Sequence, residues 1–308
     1  MAARAVVFAY HDVGVRCLPV LLAQGVDVPL VVTHRDDPRE NIWFASVERL
    51  ARSRGIEVAT PEDPNAADFV SRVAGLRADF LFSFYYRHML SPALLATAGR
   101  GAFNMHGSLL PKYRGRVPVN WAILHGEHET GATLHEMVAK PDAGRIVDQM
   151  AVPILPDDLA VDVFRKVTEV AGRVLERSLP RLIDGTATLT PQDLARGSYF
   201  GGRKPEDGRI DPSRGARAIH DLVRAVAPPY PGAFLDLEGG RLRVLRTRML
   251  DGKSQDSRPG LACEAGRLLL VAGDGGRLEV LDLDFAGKAM IPRAFCDNVG
   301  PSSVRPAP

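Results

Sequence analysis

The chain has 308 residues, 45% of them hydrophobic and 25% charged, the balance of a soluble globular protein with one large or two ordinary domains. A formal net charge of +2 with no long basic tract demands no polyanionic partner, and no apolar run reaches the 18 residues of a membrane span. The start, MAARAVVFAY, lacks the apolar stretch of an export signal, so a cytoplasmic protein that does not engage membranes is expected.

In chain order, apolar runs over residues 4–10, 28–33, 80–84 and 101–105 predict buried strands, and helical patterns over 15–24, 41–54 and 66–75 lie between them. Strand alternating with helix predicts an α/β fold with a doubly wound parallel sheet, in which ligands bind at the carboxyl ends of the strands. Tyr10, Tyr85 and Asn104 fall at such ends. A long helix over 159–182 closes this first domain, and a Gly-, Pro- and charge-rich stretch follows. Beyond a helix over 216–226, PPYPGAFLDLEGGRLRVLRTRML and GRLLLVAGDGGRLEVLDLDF alternate as strands joined by Gly turns, which predicts a small β barrel. The expected division is a catalytic domain over 1–185, a linker over 186–212 and a barrel over 213–308.

The chemistry concentrates in FNMHGSLLPKYRG, residues 103–115, and in the Asp142 that follows 27 residues later. In a strand, side chains alternate across the sheet, so Asn104 and His106 project from the same side of the strand end. Asn104 offers an amide donor where a carbonyl oxygen gains negative charge, and His106 offers an imidazole that can carry a proton. A carboxylate such as Asp142 beside the ring would fix its tautomer. Any one of these residues alone serves a turn as readily as a reaction; together they form an acyl-transfer set without a covalent nucleophile. Ser108 sits in HGSLL rather than in a GxSxG elbow, and no cysteine lies near the motif, so the attacking atom belongs to the substrate.

Other signals are weak. No GxGxxG follows the first strand and no GxxxxGK[ST] occurs, which argues against nicotinamide or ATP chemistry. Cys17, Cys263 and Cys296 are odd in number and widely scattered, so they read as reduced thiols rather than a disulfide framework. His125, His128 and His135 lack ligand spacing, so no metal is expected. Arg241, Arg243, Arg246 and Arg248 could form a basic strip, yet Arg241 and Arg243 alternate with apolar residues as the wet face of a strand does, and no nucleic-acid partner is expected.

FNMHGSLLPKYRG, ETGATLHEMV from Glu129 and DAGRIVDQ from Asp142, three blocks in order, resemble the formyltransferases that use N10-formyltetrahydrofolate. That resemblance implies a Rossmann-like catalytic domain followed by a C-terminal OB-like barrel. It also implies roles for Asn104 in stabilising the tetrahedral intermediate, His106 in carrying the proton and Asp142 in tuning that histidine. N10-formyltetrahydrofolate would be the co-substrate, held by His88, Met89, Leu90, Arg116 and the loop Val138, Ala139, Lys140, Pro141, where Pro141 removes one backbone donor.

The acceptor is read from further resemblance. Methionyl-tRNA formyltransferases carry a basic insertion where this chain has the short, charge-balanced HRDDPRENI, which weakens a tRNA acceptor. FAYHDVG, THRDDPRE, FSFYYRHML, GGRKPEDGR and VRAVAPPYPGAF are similar to the formyltransferase half of the bifunctional enzymes that act on UDP-4-amino-4-deoxy-L-arabinose in lipid A modification and polymyxin resistance. The dehydrogenase-decarboxylase half does not follow here, so a separate protein is expected to supply that step. A nucleotide-sugar acceptor would need cations for its pyrophosphate, and Arg203 and Lys204 are expected there, with Tyr10, Tyr85 and Arg114 also expected among the substrate residues. A formyltransferase for another nucleotide-linked amino sugar, such as a dTDP-linked one, is the alternative acceptor reading.

Overall fold

A computed structural model of the protein describes residues 2–254 and 258–299. The elements run β1 (Arg4–Ala9), α1 (His11–Ala23), β2 (Asp27–Val32), α2 (Val47–Ser53), β3 (Glu57–Ala59), α3 (Ala67–Gly75), β4 (Phe80–Phe84), α4 (Pro92–Leu95) and β5 (Gly101–His106). There follow β6 (Arg114–Gly115), α5 (Pro118–Leu124), β7 (Glu129–Glu136), β8 (Ile146–Pro153), α6 (Ala160–Asp184) and β9 (Tyr199–Phe200). The last segment holds α7 (Ala216–Val226), β10 (Ala233–Leu237), β11 (Gly240–Lys253), β12 (Gly260–Glu264), β13 (Arg267–Val271), β14 (Gly276–Phe285), β15 (Lys288–Met290) and α8 (Pro292–Val299). The chain divides into two compact units, one built from the described residues up to Pro118 with Glu129–Val152 and Phe164–Gly201, the other from Val119–His128, Pro153–Val163 and the described residues from Gly202 onward. No helix among the described residues is long and apolar enough to cross a membrane.

The first unit carries a seven-stranded sheet in the order β3-β2-β1-β4-β5-β7-β8. β3, β2, β1, β4 and β5 are parallel, as the strand and helix alternation requires, and β7 then runs antiparallel to β5. The order reverses between β1 and β4, which makes the crevice beyond their carboxyl ends the natural ligand position. There the amide of Tyr10, just past β1, donates to the Phe84 carbonyl at 3.0 Å. Strand alternation sends Val6 and Phe8 of β1 into one core layer with Leu30, Val32, Leu81 and the helix residues Phe69, Val73 and Leu94. Phe80, Phe82 and Phe84 of β4 pack ring against ring, with Phe103 of β5 beside them.

Three boundaries depart from the sequence reading. β3 is only three residues, too short to show an alternating pattern. The helix expected over 41–54 is confined to α2, because the Ser46 side chain accepts from the Arg49 amide and caps the helix there. The preceding loop is tied back by Asp12, whose carboxylate accepts from the Ala45 amide at 2.8 Å. β7 and β8, not foreseen as strands, widen the sheet beyond β5 and bring the second motif block alongside the first.

The second unit carries a six-stranded antiparallel sheet, β10-β11-β14-β13-β12 with β15 on β14, the curled half-barrel of an OB-like domain. Register shifts along β11 against β14 bend this long ribbon. Within α7, Arg224 is buried in an ion pair with Asp221 at 2.8 Å and also donates to the carbonyls of Leu155 and Asp158. The expectation of three reduced thiols is corrected here: Cys263 and Cys296 form a disulfide, while Cys17 is free and buried. The partners lie 33 residues apart and meet because α8 packs on β13, the strand paired with the β12 that carries Cys263, a relation that spacing alone does not encode. Most of the arginine strip is paired: Arg241 meets Asp236 at 2.8 Å, Arg243 meets Asp284 at 2.5 Å, and Arg248 and Arg267 share Glu279 at 2.5 and 2.8 Å, while Arg246 is exposed.

Candidate active site

β5 delivers Asn104 and His106 into one cavity of about 670 Å³, as the strand period requires. His106 is 6% exposed and its Nε2 lies 2.8 Å from the Tyr113 carbonyl oxygen. A carbonyl can only accept, so Nε2 carries the hydrogen and Nδ1 is turned toward Asp142, whose Oδ1 is 3.6 Å away. That separation is longer than a direct hydrogen bond and leaves room for a proton donor to approach Nδ1.

Asp142 reaches this position in a left-handed conformation (φ 50°), and the loop that carries it needs its glycine. A Cβ on Gly144 would lie 1.9 Å from the Glu136 carbonyl oxygen. The Asp142 Oδ2 accepts from the Gly115 amide at 2.8 Å, and Gly115 has φ 96° with room for a side chain denied by the Phe200 carbonyl. Burial pushes the Asp142 carboxyl up, but His106, His135 and the Gly115 amide outweigh it and hold the group well below the usual carboxylate range. It is therefore a fixed anion between two imidazoles.

His135, which the sequence reading weighed only as a metal ligand, is the missing member. It stands opposite Asn104 in the β5/β7 register and is 2% exposed. Its Nδ1 donates to the Glu136 carbonyl at 2.8 Å, and its Nε2 lies 3.1 Å from the Asn104 amide nitrogen and 3.4 Å from Asp142 Oδ1. The contact holds the Asn104 carboxamide at the cavity, where its amide can address an oxyanion. Ser108 is fully buried and donates to the Lys112 carbonyl at 2.7 Å, so it is a loop brace and not a nucleophile.

The cavity wall also contains His88, Met89, Leu90, Arg116, Val138, Pro141 and Tyr85. Met89 and Val138 are 56% and 38% exposed, so they are not core residues that happen to be apolar; Leu90 is buried in the core behind them. The Met89 carbonyl is held by the Asn65 side chain at 2.9 Å, and the same side chain accepts from Ser91, which shapes the loop after β4. Ala139 and Lys140 are exposed and do not line the cavity. Neither does Tyr10, whose buried ring lies under the Arg87 guanidinium and whose hydroxyl donates to Asp36 at 2.7 Å. Arg114 is buried, with its Nε near the Ser198 carbonyl, and is likewise outside the lining. Arg203 and Lys204 belong to the second unit: Arg203 lies over the Trp121 ring at 5.0 Å and donates to the Asp207 carbonyl, and Lys204 is exposed. Val117, Met137 and Tyr199 also line the wall without having been foreseen, as do Tyr86 and Arg87; nothing in their local sequence marks them.

An amide donor, an imidazole held by an anion and an open cavity suit transfer of an acyl group to an external nucleophile. A sequence model described as formyl transferase matches residues 21–179, and one described as formyl transferase, C-terminal domain, matches 203–298. The chain belongs to the formyl transferase family. Solved structures with the same fold include the N-formyltransferase of Helicobacter canadensis in complex with folinic acid and dTDP-3-aminofucose, 20% identical with a TM-score of 0.68 over 91% of this chain and 99% of that one. WlaRD, a sugar 3N-formyl transferase solved with dTDP and 5-N-formyl-THF, is 18% identical with a TM-score of 0.68, covering 94% and 99% of the two chains. A sugar N-formyltransferase from Shewanella sp. FDAARGOS_354 is 18% identical with a TM-score of 0.64, covering 79% of this chain and 96% of that one. What this formyltransferase shares with those three structures is the fold.

Proposed function

We propose that the chain transfers the formyl group of N10-formyltetrahydrofolate to the amine of a nucleotide-linked amino sugar. The observation that carries this reading is the pairing of Asn104 and His106 around Asp142 on a cavity whose wall exposes Met89 and Val138 to a flat apolar ligand. The neutral amine attacks the formyl carbon and forms the new C–N bond, while the carbonyl oxygen becomes an oxyanion that accepts from the Asn104 amide. The amine proton passes to His106 Nδ1, the imidazolium is stabilised by Asp142, and the same proton goes to N10 as its bond to carbon breaks. The products are a formamide and tetrahydrofolate.

The acceptor class rests on similarity to sugar N-formyltransferases, one of them solved with a dTDP-linked aminofucose, and on the sequence resemblance to enzymes acting on UDP-4-amino-4-deoxy-L-arabinose. Cross-strand carboxylates pair with Arg241, Arg243 and Arg248 of β11, leaving Arg246 exposed, which supports a small nucleotide sugar over a tRNA, since tRNA binding draws on several unpaired cations. Arg203, half-buried against Trp121, is the residue we assign to the acceptor's pyrophosphate, with Lys204 beside it in sequence. The test is tetrahydrofolate release with UDP-4-amino-4-deoxy-L-arabinose, a dTDP-3-amino sugar and methionyl-tRNA as parallel acceptors, with product mass. Release with methionyl-tRNA alone would overturn the sugar reading and keep the chemistry.

A further inference from the structure

One largely enclosed titratable side chain of the first unit, His11, takes no part in the mechanism above. His11 begins α1 directly beyond β1, in a left-handed conformation (φ 65°), on the β1 side of the point where strand order reverses. Strain of this kind is held only where the surroundings over-determine it. Here they do. His11 Nδ1 accepts from the Asp12 amide at 2.9 Å, and the Asp12 carboxylate in turn holds the Ala45 amide, fixing the loop after β2.

Because Nδ1 accepts, the hydrogen of the neutral ring sits on Nε2. Burial lowers the His11 pKa to about 3, assisted by the nearby charge of Arg87, so the ring is neutral at any working pH. Its Nε2 has no hydrogen-bond partner among the described residues, and the side chain is 13% exposed. A fixed neutral donor is thus left pointing from an otherwise aromatic environment.

That environment is Trp43 at 4.6 Å and Phe44 at 3.9 Å between ring centres, with Tyr85 at 6.4 Å and Phe164 at 4.7 Å. Trp43, Phe44 and Tyr85 are each only partly buried, which a group of large rings at a strand end does not need for packing alone. The group also adjoins the reaction centre. Tyr85 lines the catalytic cavity, and its hydroxyl lies so close over Gly107 that a Cβ there would come within 1.9 Å of it; Gly107 follows His106 directly. One tyrosine therefore separates the His11 group from the catalytic imidazole.

We propose that His11, with Trp43, Phe44 and Tyr85, forms the subsite that receives the pyranose ring of the acceptor, His11 Nε2–H donating to a sugar hydroxyl. Aromatic faces take the apolar side of a sugar and a few fixed polar groups set its orientation, the usual construction of a small-ligand site. A neutral donor suits a hydroxyl, and it does not repel an acceptor amine that must arrive uncharged to attack. This inference rests on the amino-sugar reading given above and names the residues that would make it specific.

The test is steady-state kinetics of His11→Phe, which keeps a ring and removes the donor, and His11→Gln, which keeps a donor at similar reach and removes the ring. The expected result for His11→Phe is an acceptor KM raised about 10-fold with the KM for the formyl donor unchanged, the size of one lost neutral hydrogen bond. His11→Gln should recover part of that loss, which a purely packing role would not allow. Should His11→Phe fail to fold, the same question is put to Trp43, the sole tryptophan in a Trp121→Phe background, whose emission should change on titration with the amino sugar. An acceptor KM within about 2-fold of wild type in folded His11→Phe, or Trp43 emission indifferent to saturating acceptor, would overturn the subsite alone. No turnover of any amino sugar by the wild type would overturn the acceptor reading, and the subsite's ligand with it.

Discussion

The amide nitrogen of Asn104 and Nε2 of His135 lie 3.1 Å apart across the antiparallel pair β5/β7, and the same Nε2 is 3.4 Å from Oδ1 of Asp142. The contact decides which way the Asn104 carboxamide points, and so where its amide can meet a developing oxyanion. His135 touches no reacting atom in the mechanism we derive. It acts by positioning.

Loss of the oxyanion donor should be the most costly change. Asn104→Ala is expected to lower kcat by roughly 100- to 1000-fold while folate binding, followed by fluorescence titration, stays near wild type. Turnover within a few-fold of wild type in a folded variant would remove Asn104 from the mechanism.

His135→Asn should lower kcat by about 10- to 100-fold through misplacement of Asn104, with little change in either KM. His135→Gln, which can return a hydrogen-bonding group toward the Asn104 amide, should recover part of the rate. A change confined to KM would assign His135 to binding instead.

Asp142 also carries a pH-dependent share of stability. Its carboxyl is held below the ordinary value of 3.8 in the folded state, so this stabilisation is fully present above that pH and is lost as pH falls through the folded-state value. The Tm gap between wild type and Asp142→Asn should be constant from about pH 5 to 8 and shrink only below about pH 4. A gap that widens toward acid would contradict the charge arrangement described here.

Met89 and Val138 stand on the cavity wall with little to lose in packing. The pair Met89→Ala, Val138→Ala should raise the KM for the formyl donor with stability changed by less than about 0.5 kcal/mol, as for other exposed substitutions. Equal loss of affinity for both substrates would show that the wall is not a folate surface.

The disulfide between Cys263 and Cys296 closes a separation of 33 residues in the second unit. Cys296→Ser should therefore lower stability by about 2–4 kcal/mol, the usual worth of such a link, which denaturant titration can measure. Peptide mapping of the untreated protein should recover the linked pair.

Much of this site can be read from the chain because its signals are local. Asn104 and His106 share a face by the two-residue period of β5, and the apolar runs of β1, β2 and β4 are long enough to declare buried parallel strands. His135 cannot be read that way. It is 31 residues from Asn104, and its part depends on the β5/β7 register, which aligns two segments that carry no pairing signal of their own. Tyr10 illustrates the opposite failure: its place at a strand end is evident, yet Asp36 and Arg87 enclose it, and the next residue, His11, is the one left with a free donor.

By itself the sequence determines the composition of the catalytic set and the parallel sheet that presents it. These depend on backbone periodicity. The tertiary structure alone decides the tautomer facing of His106, the anchoring of Asn104 by His135, the exposure of Met89 and the Cys263–Cys296 link. Each of those is a relation between side chains brought together by long-range packing, and no spacing along the chain specifies such a distance.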